Sequence, residues 1–277
     1  MESKSRDEFT LSRLLDFNYA PNRLLLTILL VVLLASTAWF FYSNNTVIQS
    51  IFFALIQTII VFLCWAIGRE LDPDHDYSAF FGIILLFLPF SLLKGNIFLL
   101  FWFLISLRIV NQTTGKNTSS SDISLYVFIT LIAALITTNL IIIPLSLIII
   151  ILTAILPEEQ LNLSLLSIPL IPSFILLLLV FPDSWALIDP SPFVLIFIAL
   201  SSALLFLVTI TTESVNCLGD YSKKPLSLKR VQSTQIIAVL SILLITTFHG
   251  SFFSVFPIWA ALAGIGIFRL IYLFYNH

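Results

Sequence analysis

Residues 69–76 read Arg-Glu-Leu-Asp-Pro-Asp-His-Asp, so that Glu70, Asp72, Asp74 and Asp76 crowd one short polar stretch between two long apolar runs. Carboxylates at this density are ligands for a hard cation such as magnesium or calcium. On an extended segment alternate acids point to one face, and on a helix Asp72 and Asp76, four apart, share a face. Asp72, Asp74 and Asp76 are therefore the candidate metal ligands. A competing structural role exists: Asp72 followed by Pro73 suits the cap and first turn of the next helix, with the other acids solvated.

Two further polar stretches carry cations. Arg108 precedes Asn111-Gln112-Thr113-Thr114-Gly115-Lys116, which lacks the spacing of a phosphate-binding P-loop. Residues 213–231 hold Asn216, Asp220, Lys223, Lys224, Lys229 and Arg230, and Pro225-Leu226-Ser227 reads as the lead-in and cap of a helix. Arg69, Arg108 and Lys223 are the candidates for a substrate phosphate, since guanidinium and ammonium groups on one face clamp such a group. Snorkelling topology anchors are the alternative role for the two arginines. Cys64 and Cys217 are too few for a disulfide framework or a zinc site.

The elements that must position these loops are membrane helices. Of 277 residues, 59% are hydrophobic and only 10% charged, far from a soluble composition, and the net charge of −2 with scattered basic residues gives nucleic acid no footprint. We expect an all-α, polytopic transmembrane bundle of about ten segments, at 23–42, 46–68, 78–92, 96–110, 123–137, 140–156, 163–181, 192–212, 232–249 and 254–275. The pairs 78–92 with 96–110 and 123–137 with 140–156 are short and joined by tight turns, which suits hairpins that stop partway across. Residues 1–22 form a leader with the pattern of an amphipathic interfacial helix, ahead of a single membrane domain over 23–277. With this count all of the 13 Lys and Arg except Lys94 share one face with both termini, and the positive-inside bias makes that face cytoplasmic.

In sidedness, and in placing an acidic loop after the second span and another polar loop late in the chain, the sequence resembles the UbiA-type membrane prenyltransferases. That resemblance implies a helical bundle binding magnesium diphosphate through two Asp-rich motifs. The first loop here spaces its acids two apart, and the second motif is matched by Asn216-x-x-x-Asp220, with asparagine at its first position. The phrases at 69–74, 108–115 and 220–230 are also similar to those of prokaryotic multi-span membrane proteins of unknown function, implying a prokaryotic cell membrane.

Ionisable groups are absent from the middle of every expected span, which speaks against ion-coupled transport, proton pumping and voltage sensing. Three functions survive. The first is a non-catalytic membrane subunit whose loops dock a cytoplasmic protein partner. The second is a cation-dependent enzyme acting at the cytoplasmic face on a phosphorylated or lipid-linked substrate. The third is a transporter of a neutral or apolar solute, which needs no buried charge.

Overall fold

The computed structural model describes residues 11, 16–43, 45–87, 95–156, 169–180, 190–220, 222–248 and 252–275. Among them lie ten helices: α1 Ala20–Tyr42, α2 Val47–Leu71, α3 Ser78–Phe87, α4 Ile97–Asn111, α5 Ser120–Thr137, α6 Ile142–Ile155, α7 Leu170–Val180, α8 Pro192–Thr211, α9 Leu228–Phe248 and α10 Phe252–Tyr275. Six of them (α1, α2, α5, α8, α9 and α10) are long and apolar enough to cross a bilayer. The chain is an integral membrane protein. Its outer helices present apolar side chains outward, as in Leu30, Val31 and Leu34 of α1 and Ile196, Leu200 and Phe206 of α8. Such rows are unsustainable in water and ordinary against lipid. Lys94 and most of the leader, including the amphipathic helix expected there, fall outside the described residues.

The centre is built on α2, α4 and α10. Helix α10 packs on α3, α8 and α2, and α4 on α2, α5, α6 and α9. Small residues let α3 and α10 meet backbone to backbone: a Cβ on Gly82 would lie 2.9 Å from Ala261 Cα, and one on Gly264 would collide with the Gly82 amide nitrogen. Hydrogen bonds add to this packing. Trp102 Nε1 donates to Thr130 Oγ1 (3.2 Å) and Ser146 Oγ (2.9 Å), joining α4, α5 and α6, and Trp259 Nε1 donates to Thr246 Oγ1 (3.0 Å), joining α10 to α9.

The helix ends follow local chemistry. Asn96 caps α4 by accepting from the amides of Phe98 and Leu99, and Ser119 forms a capping box with Asp122 at α5. Helix α9 starts directly after Ser227. One expectation is overturned. Helix α2 runs to Leu71 rather than ending at 68, and Asp72 closes it as its C-cap, with its amide on Gly68 O, instead of capping the helix that follows. Helix α3 starts at Ser78, whose amide and hydroxyl both reach His75 O. The extra turn puts Arg69 and Glu70 on the helix.

Candidate functional site

The last carbonyls of a helix lack intrahelical partners, and here neighbouring helices supply them. Glu70 O accepts from Asn111 Nδ2 of α4 and Leu71 O from Gln235 Nε2 of α9, each at 2.8 Å. Val110 O, near the end of α4, accepts from Arg230 Nη1 at 3.0 Å. The ends of α2 and α4 are thereby buried side by side. In the seam, the Glu70 carboxylate, 1% exposed, accepts from Arg108 Nε at 3.0 Å, while Arg108 Nη1 donates to Leu11 O at 2.9 Å.

Each aspartate of the first loop takes a different partner. Asp72 Oδ1 lies 2.8 Å from His75 Nδ1, and the far nitrogen of that ring lies 3.3 Å from Arg269 Nη1. His75 Nδ1–H therefore donates to Asp72, and Nε2 faces the guanidinium as an acceptor. Arg269 also donates to Thr211 Oγ1 (2.8 Å) and Thr211 O (2.5 Å), tying α10 to the end of α8. Asp74 reaches across to the third loop, accepting from the amides of Asn216 (3.0 Å) and Cys217 (2.7 Å). Asp76 accepts from Arg69 Nη1 at 2.8 Å and stands beside the phenol of Tyr19. Burial first, then the neighbouring Asp76 carboxylate, push the Tyr19 phenol up to about 12. Tyr19 thus stays a donor at neutral pH.

The three aspartates consequently do not share a ligand sphere. Among the described residues no three Asp, Glu, His or Cys side chains are grouped as a metal site needs. The described residues do not fit the magnesium site that a prenyltransferase layout implies.

The three cations, by contrast, converge. Arg69, Arg108 and Lys223 line one cleft of about 760 Å³ between α2, α4 and the start of α1. Its deep half is apolar (Ile59, Phe62, Leu63, Ile97, Phe101, Leu104), and its rim carries Asp16, Tyr19, Asp76, Asp220 and Lys223. Ile59 and Phe101 are each 42% exposed, so the apolar half opens sideways to the bilayer. From Ile59 to Arg69 the helical rise amounts to about 15 Å, half of the roughly 30 Å hydrocarbon core. The cleft is one leaflet deep.

A second, polar cleft of about 630 Å³ lies alongside, lined by His75, Glu213, Asn216, Arg269 and Tyr272, and shares Asp76 and Cys217 with the first. The second loop closes the rim: Asp220 N donates to Thr113 O at 3.3 Å, and Gly115, in the left-handed region at φ 73°, abuts Gly219 with no room for a Cβ. Leu11, the first loop, the second and the third therefore lie on one face of the bundle. Sequence reasoning missed Tyr19, Asp16 and Trp65 as cleft residues and Arg269 as the group that orients His75. Only Arg269 carried a signal, as a charge near the end of an otherwise uncharged last span.

No protein-family model matches the chain, no curated protein matches its sequence, and no solved structure matches its fold.

Proposed function

We propose that the protein takes a phosphate-headed lipid from the cytoplasmic leaflet into the cleft between α2 and α4. One observation carries this reading: the cations Arg69, Arg108 and Lys223 line the rim of a cavity whose other half is apolar and open to the membrane. The paired arginines keep spare N–H donors, because a guanidinium has five and Arg69 spends one on Asp76. Lys223 is exposed and makes no ion pair among the described residues. An exposed apolar wall beneath such a rim suits a tail in the leaflet and a head at the interface. The loops suit a docking platform less well, since Asp74, Arg69 and Glu70 are turned inward onto one another's elements.

Orientation follows from the positive-inside bias, with the rim and both termini in the cytoplasm. Reporter fusions at Gly115 and His277 should both read cytoplasm and one at Ser184 the opposite side; disagreement between the first two overturns the topology. Lipid binding is tested by thermal unfolding of purified protein in detergent with added phospholipid or diacylglycerol. Phospholipid should raise the midpoint, diacylglycerol should not, and Lys223→Gln should reduce the rise. Equal stabilisation by diacylglycerol would remove the phosphate from the argument.

A second reading is enzymatic, favoured by the polar cleft that shares Asp76 and Cys217 with the lipid cleft. A water-soluble reactant there would meet the lipid head at that shared wall. Its test is head-group turnover, followed by phosphorus NMR of protein in vesicles given a cytosolic small-molecule fraction; an unchanged spectrum rules it out for that fraction.

A further inference from the structure

We infer that the polar cleft binds a small water-soluble zwitterion, a molecule of the amino-acid class with one carboxylate and one ammonium group. The site is separate from the lipid cleft, and the inference rests neither on lipid binding nor on head-group turnover.

The end that takes the carboxylate is Arg269. It lines the polar cleft and is 9% exposed, so part of its surface is open to a ligand there. Three bonds fix its guanidinium: Nε donates to Thr211 Oγ1, Nη2 to Thr211 O and Nη1 to His75 Nε2. Of its five N–H donors two remain. Arg269 makes no ion pair among the described residues, and the carboxylate to which it is linked, Asp72, stands on the far side of the His75 ring and off this wall. A cation so deeply set without a counter-charge is costly, and a guanidinium held in one orientation with donors to spare is built for a carboxylate.

The end that takes the ammonium is Glu213. It lines the same cleft, is exposed, and has no hydrogen bond or ion pair among the described residues. The other acids of the wall are spent, Asp74 on the amides of Asn216 and Cys217 and Asp76 on Arg69. His75 accepts from the guanidinium at Nε2 and so adds no charge. One unpaired carboxylate and one unpaired guanidinium therefore face a single cavity of about 630 Å³, a volume in the range of small-molecule sites. A simple anion would meet a wall with three acids to one cation, and a simple amine would leave Arg269 unmet. A zwitterion answers both ends. The exposed side chains of Ser214 and Asn216, with no hydrogen bonds of their own among the described residues, supply neutral donors and acceptors around it.

The test is calorimetric titration of the full chain in detergent, at neutral pH and low salt. The probes are glycine, β-alanine and γ-aminobutyrate, which set the two charges progressively further apart. Each is compared with the acid that lacks its amine (acetate, propionate, butyrate) and with the amine that lacks its acid (methylamine, ethylamine, propylamine). One zwitterion should bind about tenfold more tightly than its amine, which forgoes the buried guanidinium. It should bind about fivefold more tightly than its acid, the upper range for a pair made with an exposed carboxylate such as Glu213. Glu213→Gln should lower that zwitterion to the level of its acid; the side chain is exposed and uncontacted, so the fold is untouched. Arg269→Lys should weaken the zwitterion and the acid together and leave the amine unchanged. Because Arg269 also ties α10 to α8, the Glu213 variant carries the test if the lysine variant does not fold. Acids or amines that bind as tightly as every zwitterion overturn the inference, as does a preference that survives Glu213→Gln, or no binding by any of the three zwitterions. None of these outcomes bears on the lipid cleft, which Lys223→Gln reads.

Discussion

Replacing one partner of the Glu70–Arg108 pair should damage the protein far more than replacing both. Glu70 is 1% exposed and Arg108 Nε lies 3.0 Å from its Oε1, at the seam where α2 and α4 end. Arg108→Met leaves a carboxylate buried without its guanidinium, a change that costs about 3–5 kcal/mol in comparable sites. For a chain of this size that corresponds to roughly 6–20 °C of unfolding midpoint, at about 2–4 °C per kcal/mol. Glu70→Gln keeps an acceptor for Arg108 Nε and removes only the charge, so it should lose about 1–3 kcal/mol. The double variant Glu70→Leu, Arg108→Met removes both charges and fills the space, and should return to within a few degrees of the unaltered protein. Midpoints measured at one fixed scan rate in detergent, since unfolding of such proteins is irreversible, complete the cycle. A coupling of about 2 kcal/mol or more is expected. If the double variant is as unstable as the two single losses added together, the groups act independently and the seam is not held by their pairing.

Three further outcomes follow from the same geometry. Asp74→Cys, in a Cys64→Ala background, should crosslink to the native Cys217 under mild oxidation or with a short bifunctional reagent, because Asp74 Oδ1 sits 2.7 Å from the Cys217 amide; two reactive thiols that never join would separate the first and third loops. Gly264→Ala should be among the most disruptive substitutions in the chain. Its Cβ would lie 2.6 Å from the Phe81 carbonyl carbon with only backbone to yield, whereas Gly68→Ala meets the Ala79 methyl at 2.9 Å and should cost less; equal folded yields for the two would refute the close α3–α10 approach. Tyr19 has its folded value raised from 10 to about 12, so its contribution is complete below pH 10 and disappears as pH climbs through 12. The ultraviolet difference between the protein and its Tyr19→Phe variant should show that late phenol; a step near 10 would contradict the burial of the phenol beside Asp76.

How far the sequence could be read depends on the distance over which each feature is decided. The six long spans are local: a continuous apolar run needs no partner to declare itself, and Asn96 and Ser119 cap helices from within three residues. The acids at 69–76 are decided remotely. Asp74 is claimed by amides 142 residues away, and Glu70 by an arginine 38 residues away. The same carboxylate is a ligand, a cap or a salt-bridge partner according to which helix end arrives beside it. The end of α2 shows the cost. Arg69-Glu70 reads as loop because charge at a membrane helix end is expensive, until Arg108, Asn111 and Gln235 satisfy it. The three cations line one cleft because Arg69 and Arg108 close adjoining helices at one level and a loop brings in Lys223.

The depth of the cleft is set by where α4 begins. Asn96 donates its amide to Ser254 O, and Gly95 packs on Ile60 and Pro257, which anchors the start of α4 against α2 at a point about 16 Å short of the end of α2. From Ile97 to Arg108 the helix then rises about 16 Å, one leaflet of a roughly 30 Å core. The cleft therefore has a floor: its apolar wall starts at Ile97 and its charged rim stands at Arg108, with no polar group between them on α4 that lines it. A path for a neutral solute must continue to the opposite face, and this one is closed by the packing of Gly95 on α2 and α10. A one-leaflet pocket with a charged mouth instead matches a molecule that is itself half apolar and half charged. For that reason the geometry of α4, as much as the cations themselves, directs the reading toward a membrane lipid and away from transport.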